Sequence, residues 1–216
     1  VSFAHREVLV DGHKQHYFAI VVRGTTTNAD KWTDVSSLVD GFSMAGTTVT
    51  SQFWDFVEKQ CGLTQSEIKG NSKFFITGHS LGGATANNVA KNISDSYGES
   101  NVYGYTFASP GTSMLPSIKS YMNIHNIINS EDGWPKTPLI HRFRFGREER
   151  FHRDNDRSHG FYDNYKELTG RDFKGDDAHA VETYMAYVLI KDSKFASKIS
   201  GVCWACPVDV EIYALD

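Results

Sequence analysis

Apolar positions change their period several times along this chain, and each change marks an element. Glu7 to Val10 and His16 to Val22 are two β-type runs separated by Asp11-Gly12, a tight-turn dipeptide, which predicts an N-terminal hairpin. A polar stretch from Thr25 to Ser37, with Trp32 inside it, leads into a glycine-containing loop. Val49, Phe53, Phe56, Val57 and Cys61 recur at helical spacing and predict an amphipathic helix. Gly70-Asn71 breaks the chain before Lys73 to Thr77, a short apolar run suited to a buried strand. Beyond Gly78 to Gly83, the residues Ala86, Val89, Ala90, Ile93 and Tyr97 mark one face of a second helix.

The alternation continues. Val102 to Phe107 and Ile124 to Asn129 read as strands, with a short helical stretch near Leu115 to Tyr121 between them, and Arg142 to Phe145 reads as a further strand. Ala178, Val181, Met185, Val188 and Leu189 make a third helix. Strands separated by helices need crossover connections, so a mainly parallel sheet covered on both faces is expected. No repeat or low-complexity linker interrupts the pattern, which predicts one α/β domain over residues 1–216.

Composition narrows the function. The chain of 216 residues is 40% apolar and 13% aromatic, which suits one domain with a sizeable core and excludes disorder. A net charge of −4 lacks the basic footprint that nucleic acid demands. No apolar run approaches the ~18–20 residues needed to span a bilayer, so a soluble or peripheral protein is expected. Residue 1 is Val and no signal-peptide pattern follows, so this segment is read as processed or trimmed from a longer chain, with its compartment undetermined. Three cysteines, an odd number, argue against a disulfide scaffold; Cys203 and Cys206 have redox or half-zinc spacing but lack partners and precede Pro207, so they read as residues of a C-terminal strand or loop. The arginines between His141 and Ser158 are interleaved with Glu148, Glu149, Asp154 and Asp156 and read as a solvated, salt-bridged excursion.

The chemistry is carried by Phe75-Ile76-Thr77-Gly78-His79-Ser80-Leu81-Gly82-Gly83-Ala84, a Gly-X-Ser-X-Gly pattern between an apolar strand and a helix. Such a turn needs glycine at 78 and 82, because the backbone comes back on itself, and it lifts the Ser80 hydroxyl above the C-terminal edge of the sheet. A serine hydroxyl is a poor nucleophile at neutral pH and needs a base, which in turn needs an orienting acid. In this context the chain order is serine, acid, histidine. Asp132 stands in Asn129-Ser130-Glu131-Asp132-Gly133-Trp134-Pro135, directly after a strand, and is the expected acid, with Glu131 as the alternative. Four histidines follow it, at 141, 152, 159 and 179. His179, at the start of a helix after a long excursion, is the expected base, ahead of His159 and His152. His79 abuts the nucleophile, but its side chain is expected to point away from the reacting face.

Acyl transfer also requires donors for the developing oxyanion. The N–H of Leu81 is one, and Ile20 to Thr26, an apolar strand ending in Arg23-Gly24-Thr25, supplies the second at Thr25. Together these strings resemble the class 3 lipases of the α/β-hydrolase superfamily. The resemblance rests on Arg23-Gly24-Thr25, the Gly78 to Ala84 turn, Asn129 to Pro135 and His179-Ala180-Val181-Glu182-Thr183-Tyr184, spanning roughly residues 16 to 190. It implies a triad of Ser80, Asp132 and His179 and an oxyanion hole of Thr25 and Leu81. It further implies hydrolysis of carboxylic, often lipid, esters without cofactor or metal, and a lid at Thr27 to Ser37 that contacts a lipid surface. The sequence departs from the family at Met44-Ala45-Gly46-Thr47, where a histidine-containing motif is usual, and its lid segment is short and polar. A small-ester or lysolipid hydrolase therefore fits as well as one for long-chain triglycerides. An acyltransferase with the same triad, or a non-catalytic binding domain on the same fold, are the rival readings.

Overall fold

The computed structural model describes residues 1–24, 35–136, 143–152, 160–191 and 211–214, with backbone only at 35–40, 189–191 and 211–214. The hairpin forms as expected, from β1 (Ser2–Val10) and β2 (His13–Val22), and Asp11 and Gly12 both adopt the positive φ of a primed turn. β3 (Ser72–His79), β4 (Val102–Phe107), β5 (Ile124–Asn129) and β6 (Arg147–Phe151) follow β2 side by side, all parallel. β7 (Glu211–Ala214) pairs antiparallel with β1, so the sheet order is β6-β5-β4-β3-β2-β1-β7. The crossovers carry α1 (Val35–Lys59), the single-turn α2 (Gln65–Ile68) and α3 (Leu81–Tyr97), and later α4 (Phe161–Thr169) and α5 (Val181–Lys191).

One face of the sheet is packed by α1 and α3. Val49, Phe53, Phe56 and Val57 of α1 close over Phe18, Ile20, Phe74 and Ile76, with the Phe53 ring edge-on to Phe18 at 5.4 Å and to Phe74 at 6.0 Å. Each such buried side chain contributes roughly 1.5–3 kcal/mol of apolar transfer free energy. The two helices approach closely at Gly46, where a Cβ would stand 2.5 Å from that of Asn88. The residues read as a glycine-containing loop, Gly41 and Gly46, therefore lie inside α1, and Gly46 is there because a neighbouring helix leaves no room.

The other face is covered unevenly. Phe161, Tyr165, Tyr184 and Tyr187 of α4 and α5 pack on Ile127 and Phe151, the last stacked on Tyr187 at 4.0 Å. Nearer the hairpin, Phe75 and Tyr105 are 44% and 43% exposed, and Phe75 stacks on Tyr17 and Tyr103. Coverage of both faces is thus complete only on the α1–α3 side among the described residues, and the apolar run at Lys73 to Thr77 is a strand with one buried edge of side chains.

Three further expectations are corrected. Leu115 to Tyr121 form bends and irregular chain rather than a helix, with Pro116 inside the run. The strand expected at Arg142 to Phe145 lies later, at Arg147–Phe151: Phe143 makes only a bridge to Ser113, and Gly146, at φ +91°, turns the chain into the sheet beside Ile124. That excursion is also more than a solvated face, since it holds β6 and the buried Arg144. The lid residues 27–34, Thr25, His141, His159, Cys203 and Cys206 lie outside the described residues.

Candidate active site

Ser80 sits between β3 and α3 with φ 58° and ψ −128°, a strained conformation for a residue with a Cβ. The glycines on either side explain why the chain holds it. A Cβ on Gly78 would lie 2.3 Å from the Gly82 carbonyl oxygen, and one on Gly82 would lie 2.3 Å from the Val22 carbonyl oxygen at the end of β2. The Ser80 N–H donates to the Phe107 carbonyl at 2.9 Å, anchoring the turn to β4. Leu81 opens α3, so its N–H belongs to the first turn, where helical donors have no intrahelical acceptor and the helix dipole is positive. Gly24 comes close to the same place, since its Cβ would meet the Ser80 Cβ at 3.4 Å.

Asp132 follows β5 and is 1% exposed. Its Oδ1 accepts the Trp134 N–H at 2.9 Å, and its Oδ2 accepts the Tyr184 hydroxyl at 2.7 Å. The same Oδ2 faces His179 Nδ1 at 2.8 Å, and His179 Nε2 faces Ser80 Oγ at 2.9 Å. With the carboxylate able only to accept, Nδ1 carries a hydrogen, and in the neutral ring Nε2 is the acceptor for the serine hydroxyl. The structure thus brings Ser80, His179 and Asp132 into one hydrogen-bonded line, although they are 99 and 47 residues apart in pairs.

His179 ends a 3-10 turn, Gly175–His179, that runs directly into α5. Several residues that sequence reasoning passed over hold this turn. Asn129, at the end of β5, donates from Nδ2 to the Ala178 carbonyl at 3.0 Å and accepts the Glu131 N–H at 3.1 Å. Asp177 accepts two hydrogen bonds of 2.7 Å from the Arg171 guanidinium, and a third from the Lys174 N–H at 2.8 Å. The Arg171 bonds hold its carboxyl below the usual carboxylate range. Buried Arg144 donates to the Ser109 carbonyl at 2.8 Å and the Pro135 carbonyl at 2.5 Å and pairs with Glu148, tying the loop after β4 to the loop that carries Asp132. Burial, reinforced by the Asp132 charge and hydrogen bond, pushes the Tyr184 hydroxyl far above its ordinary pKa, so it remains a donor. Tyr184 closes the His179 to Tyr184 string that carries the family resemblance, and its place on the first turn and a half of the helix after His179 is what brings it to the carboxylate.

His79 corrects an expectation. Its ring does not turn away but lies 4.9 Å from that of His179, and its Nε2 donates to the His179 carbonyl at 2.9 Å. A cavity of about 450 Å³ opens beside the cluster, lined by Glu131, Asp132, Trp134, Asp176 and His179 among others, and the Trp134 ring lies 5.5 Å from the imidazole. Among the described residues no group of three or more His, Cys, Asp or Glu side chains could hold a metal ion, and no helix is long and apolar enough to cross a membrane.

A mainly parallel sheet with a Gly-X-Ser-X-Gly turn between strand and helix, an acid after a later strand and a histidine after that defines an α/β-hydrolase fold. The model of the family described as lipase (class 3) matches residues 19–142, more than half of the chain, and the chain belongs to that family. Among curated proteins it is similar to the toxin TseL of Vibrio cholerae serotype O1 (strain ATCC 39315 / El Tor Inaba N16961), with 33% identity over 93 residues, 42% of this chain and 14% of the toxin. The chain therefore spans only a small part of that relative's length. Among solved structures it is similar to a triacylglycerol lipase described as having a serine protease triad as its catalytic centre (18% identity, TM-score 0.41, 63% of this chain and 57% of the other). It is also similar to the triacylglyceride lipase of Rhizomucor miehei (17% identity, TM-score 0.39, 64% and 57%).

Proposed function

We propose that this protein hydrolyses carboxylic esters, lipid esters above all, through an acyl-serine intermediate, with Ser80 as nucleophile, His179 as general base and acid, and Asp132 as the orienting carboxylate. The observation that carries the reading is the single imidazole standing 2.9 Å from Ser80 Oγ on one side and 2.8 Å from Asp132 Oδ2 on the other. Membership of the class 3 lipase family supports the ester class of substrate.

The steps follow from that geometry. His179 Nε2 takes the hydroxyl proton as Ser80 Oγ bonds to the ester carbonyl carbon, and the carbonyl π pair moves onto oxygen. The N–H of Leu81, with that of Thr25 as the second donor, stabilises the oxyanion, each such donor being worth roughly 3–4 kcal/mol of barrier. Asp132 does not take the proton; its charge favours the imidazolium and fixes the ring. Collapse breaks the bond to the alcohol oxygen, which receives the proton from Nε2. Water then attacks the acyl-serine, giving its proton to the same nitrogen, and release of the acid returns that proton to Ser80.

The test is Ser80→Ala, with circular dichroism to verify the fold. Turnover of p-nitrophenyl esters is expected to fall to background, and labelling by a fluorophosphonate probe to vanish. Labelling that persists in this variant would remove Ser80 from the chemistry.

A further inference from the structure

His79 stands next to the nucleophile in sequence and next to the base in space. As the last residue of β3, it shares its face with Thr77 and Phe75, the face on which α5 lies, and so its ring is directed toward the turn that ends at His179. The contact is made to backbone: Nε2 of His79 lies 2.9 Å from the His179 carbonyl oxygen, which can only accept, so the hydrogen is on Nε2. The ring is held in that orientation by the His179 ring at 4.9 Å and by the edge of Tyr184 at 5.8 Å. Burial, with the neighbouring His179 ring, lowers the pKa of His79, which keeps the neutral ring in place and adds no second positive charge when His179 is protonated.

The neighbouring carbonyls of the turn are also held. The Ala178 carbonyl accepts from Asn129 at the end of β5, and the Asp177 carbonyl accepts from the Thr183 hydroxyl and the Ala180 N–H. Asn129 thus ties the turn to the strand that presents the acid. His79 ties it to the strand that presents the nucleophile, and does so from the residue adjoining that nucleophile. Any drift of the turn away from β3 lengthens the Ser80 Oγ to His179 Nε2 contact directly.

We propose that His79 is a positioning residue that sets the nucleophile-to-base distance by hydrogen bonding the His179 carbonyl. This rests on the reading of Ser80 and His179 given above, and deepens it: the second residue of the Gly-X-Ser-X-Gly turn acts through the base.

The experiment compares His79→Phe, which keeps a planar ring without the donor, with His79→Gln, whose amide nitrogen can occupy the position of Nε2. Steady-state kinetics on a short-chain p-nitrophenyl ester, the rate of fluorophosphonate labelling and thermal melting are measured for each. His79→Phe is expected to lower kcat about 10- to 100-fold, the size of effect caused by misplacing a reacting group by a fraction of an ångström to 1 Å. Its KM should stay within twofold and the labelling rate should fall in step with kcat. His79→Gln should recover most of the loss. A kcat for His79→Phe within twofold of wild type overturns the proposal, as does a His79→Gln variant no faster than His79→Phe, which would transfer the effect to ring packing. If His79→Phe does not fold, His79→Asn replaces it, since its shorter amide stops short of the carbonyl. Wild-type protein that neither turns over esters nor labels would instead defeat the functional reading itself.

Discussion

Ser80 and His179 are hydrogen-bonded neighbours, yet the protein holds them by opposite means. The serine is held chiefly by its immediate sequence: Gly78, whose absent Cβ lets the chain double back on Gly82, a positive φ, and a helix that begins one residue later, while Gly82 makes room for the end of β2. The histidine has no such local device. Its turn is held by Asn129 and His79, 50 and 100 residues earlier, and by the Arg171–Asp177 pair, while Asp132 and Tyr184 hold its ring. A hydroxyl can be lifted out by a short string, whereas an imidazole that must meet it from another crossover depends on side chains gathered by the sheet.

The largest effect is expected at Asp132. Asp132→Asn leaves the loop its Trp134 N–H acceptor but removes the charge that selects the His179 tautomer; kcat should fall about 10³- to 10⁴-fold with little change in melting temperature. Gly78→Ala attacks the other side. Its Cβ would meet main-chain atoms of Gly82 and Gly83 that cannot move aside, and urea titration should show a loss of roughly 3–4 kcal/mol together with loss of activity. If Gly78→Ala is as stable as wild type, the turn at Ser80 is not held by its local sequence.

Smaller effects test the long-range side alone. Tyr184→Phe takes a donor from Asp132 and an acceptor from the Asn129 N–H, in a position 1% exposed. It should cost about 1–3 kcal/mol in denaturant unfolding and several-fold in kcat, leaving KM unchanged. The smallest effect concerns acid. Asp177 has its folded pKa lowered by Arg171, so the stability it confers is present above its unfolded pKa, about 3.9, and is lost as pH falls through the folded value. Wild type should therefore lose more melting temperature between pH 6 and pH 3 than Arg171→Met does. The difference is expected to be only a few °C, because the arginine is half exposed. Equal losses would show that the pair does not hold the turn.

The elements that could be read from sequence were those whose signal is local. The hairpin turn, the two long helices and the strand–serine–helix unit all follow from residues within a few positions of one another. The strand at Arg147–Phe151 is not legible in the sequence because Phe143 and Phe145 supply the apolar alternation, while β6 itself is mostly charged and exposed along an edge. Arg144 was submerged in a run of mixed charges, and only its burial against Ser109 and Pro135 distinguishes it. His79 was misdirected because strand alternation says which face a residue takes but not what stands there.

The crossover pattern of the sheet, the tight return of the chain at Gly78 and the order in which Ser80, Asp132 and His179 occur are legible in the chain itself, since glycine sterics, helical period and chain order are properties of neighbours. Only the folded sheet places His179 between Ser80 and Asp132, gives Tyr184 a share of the carboxylate and sets His79 against the His179 carbonyl. Those contacts join residues 47 to 100 positions apart, and hydrogen bonds reach only about 3 Å, so they exist only once the parallel strands have set β3, β5 and the turn before α5 at one edge.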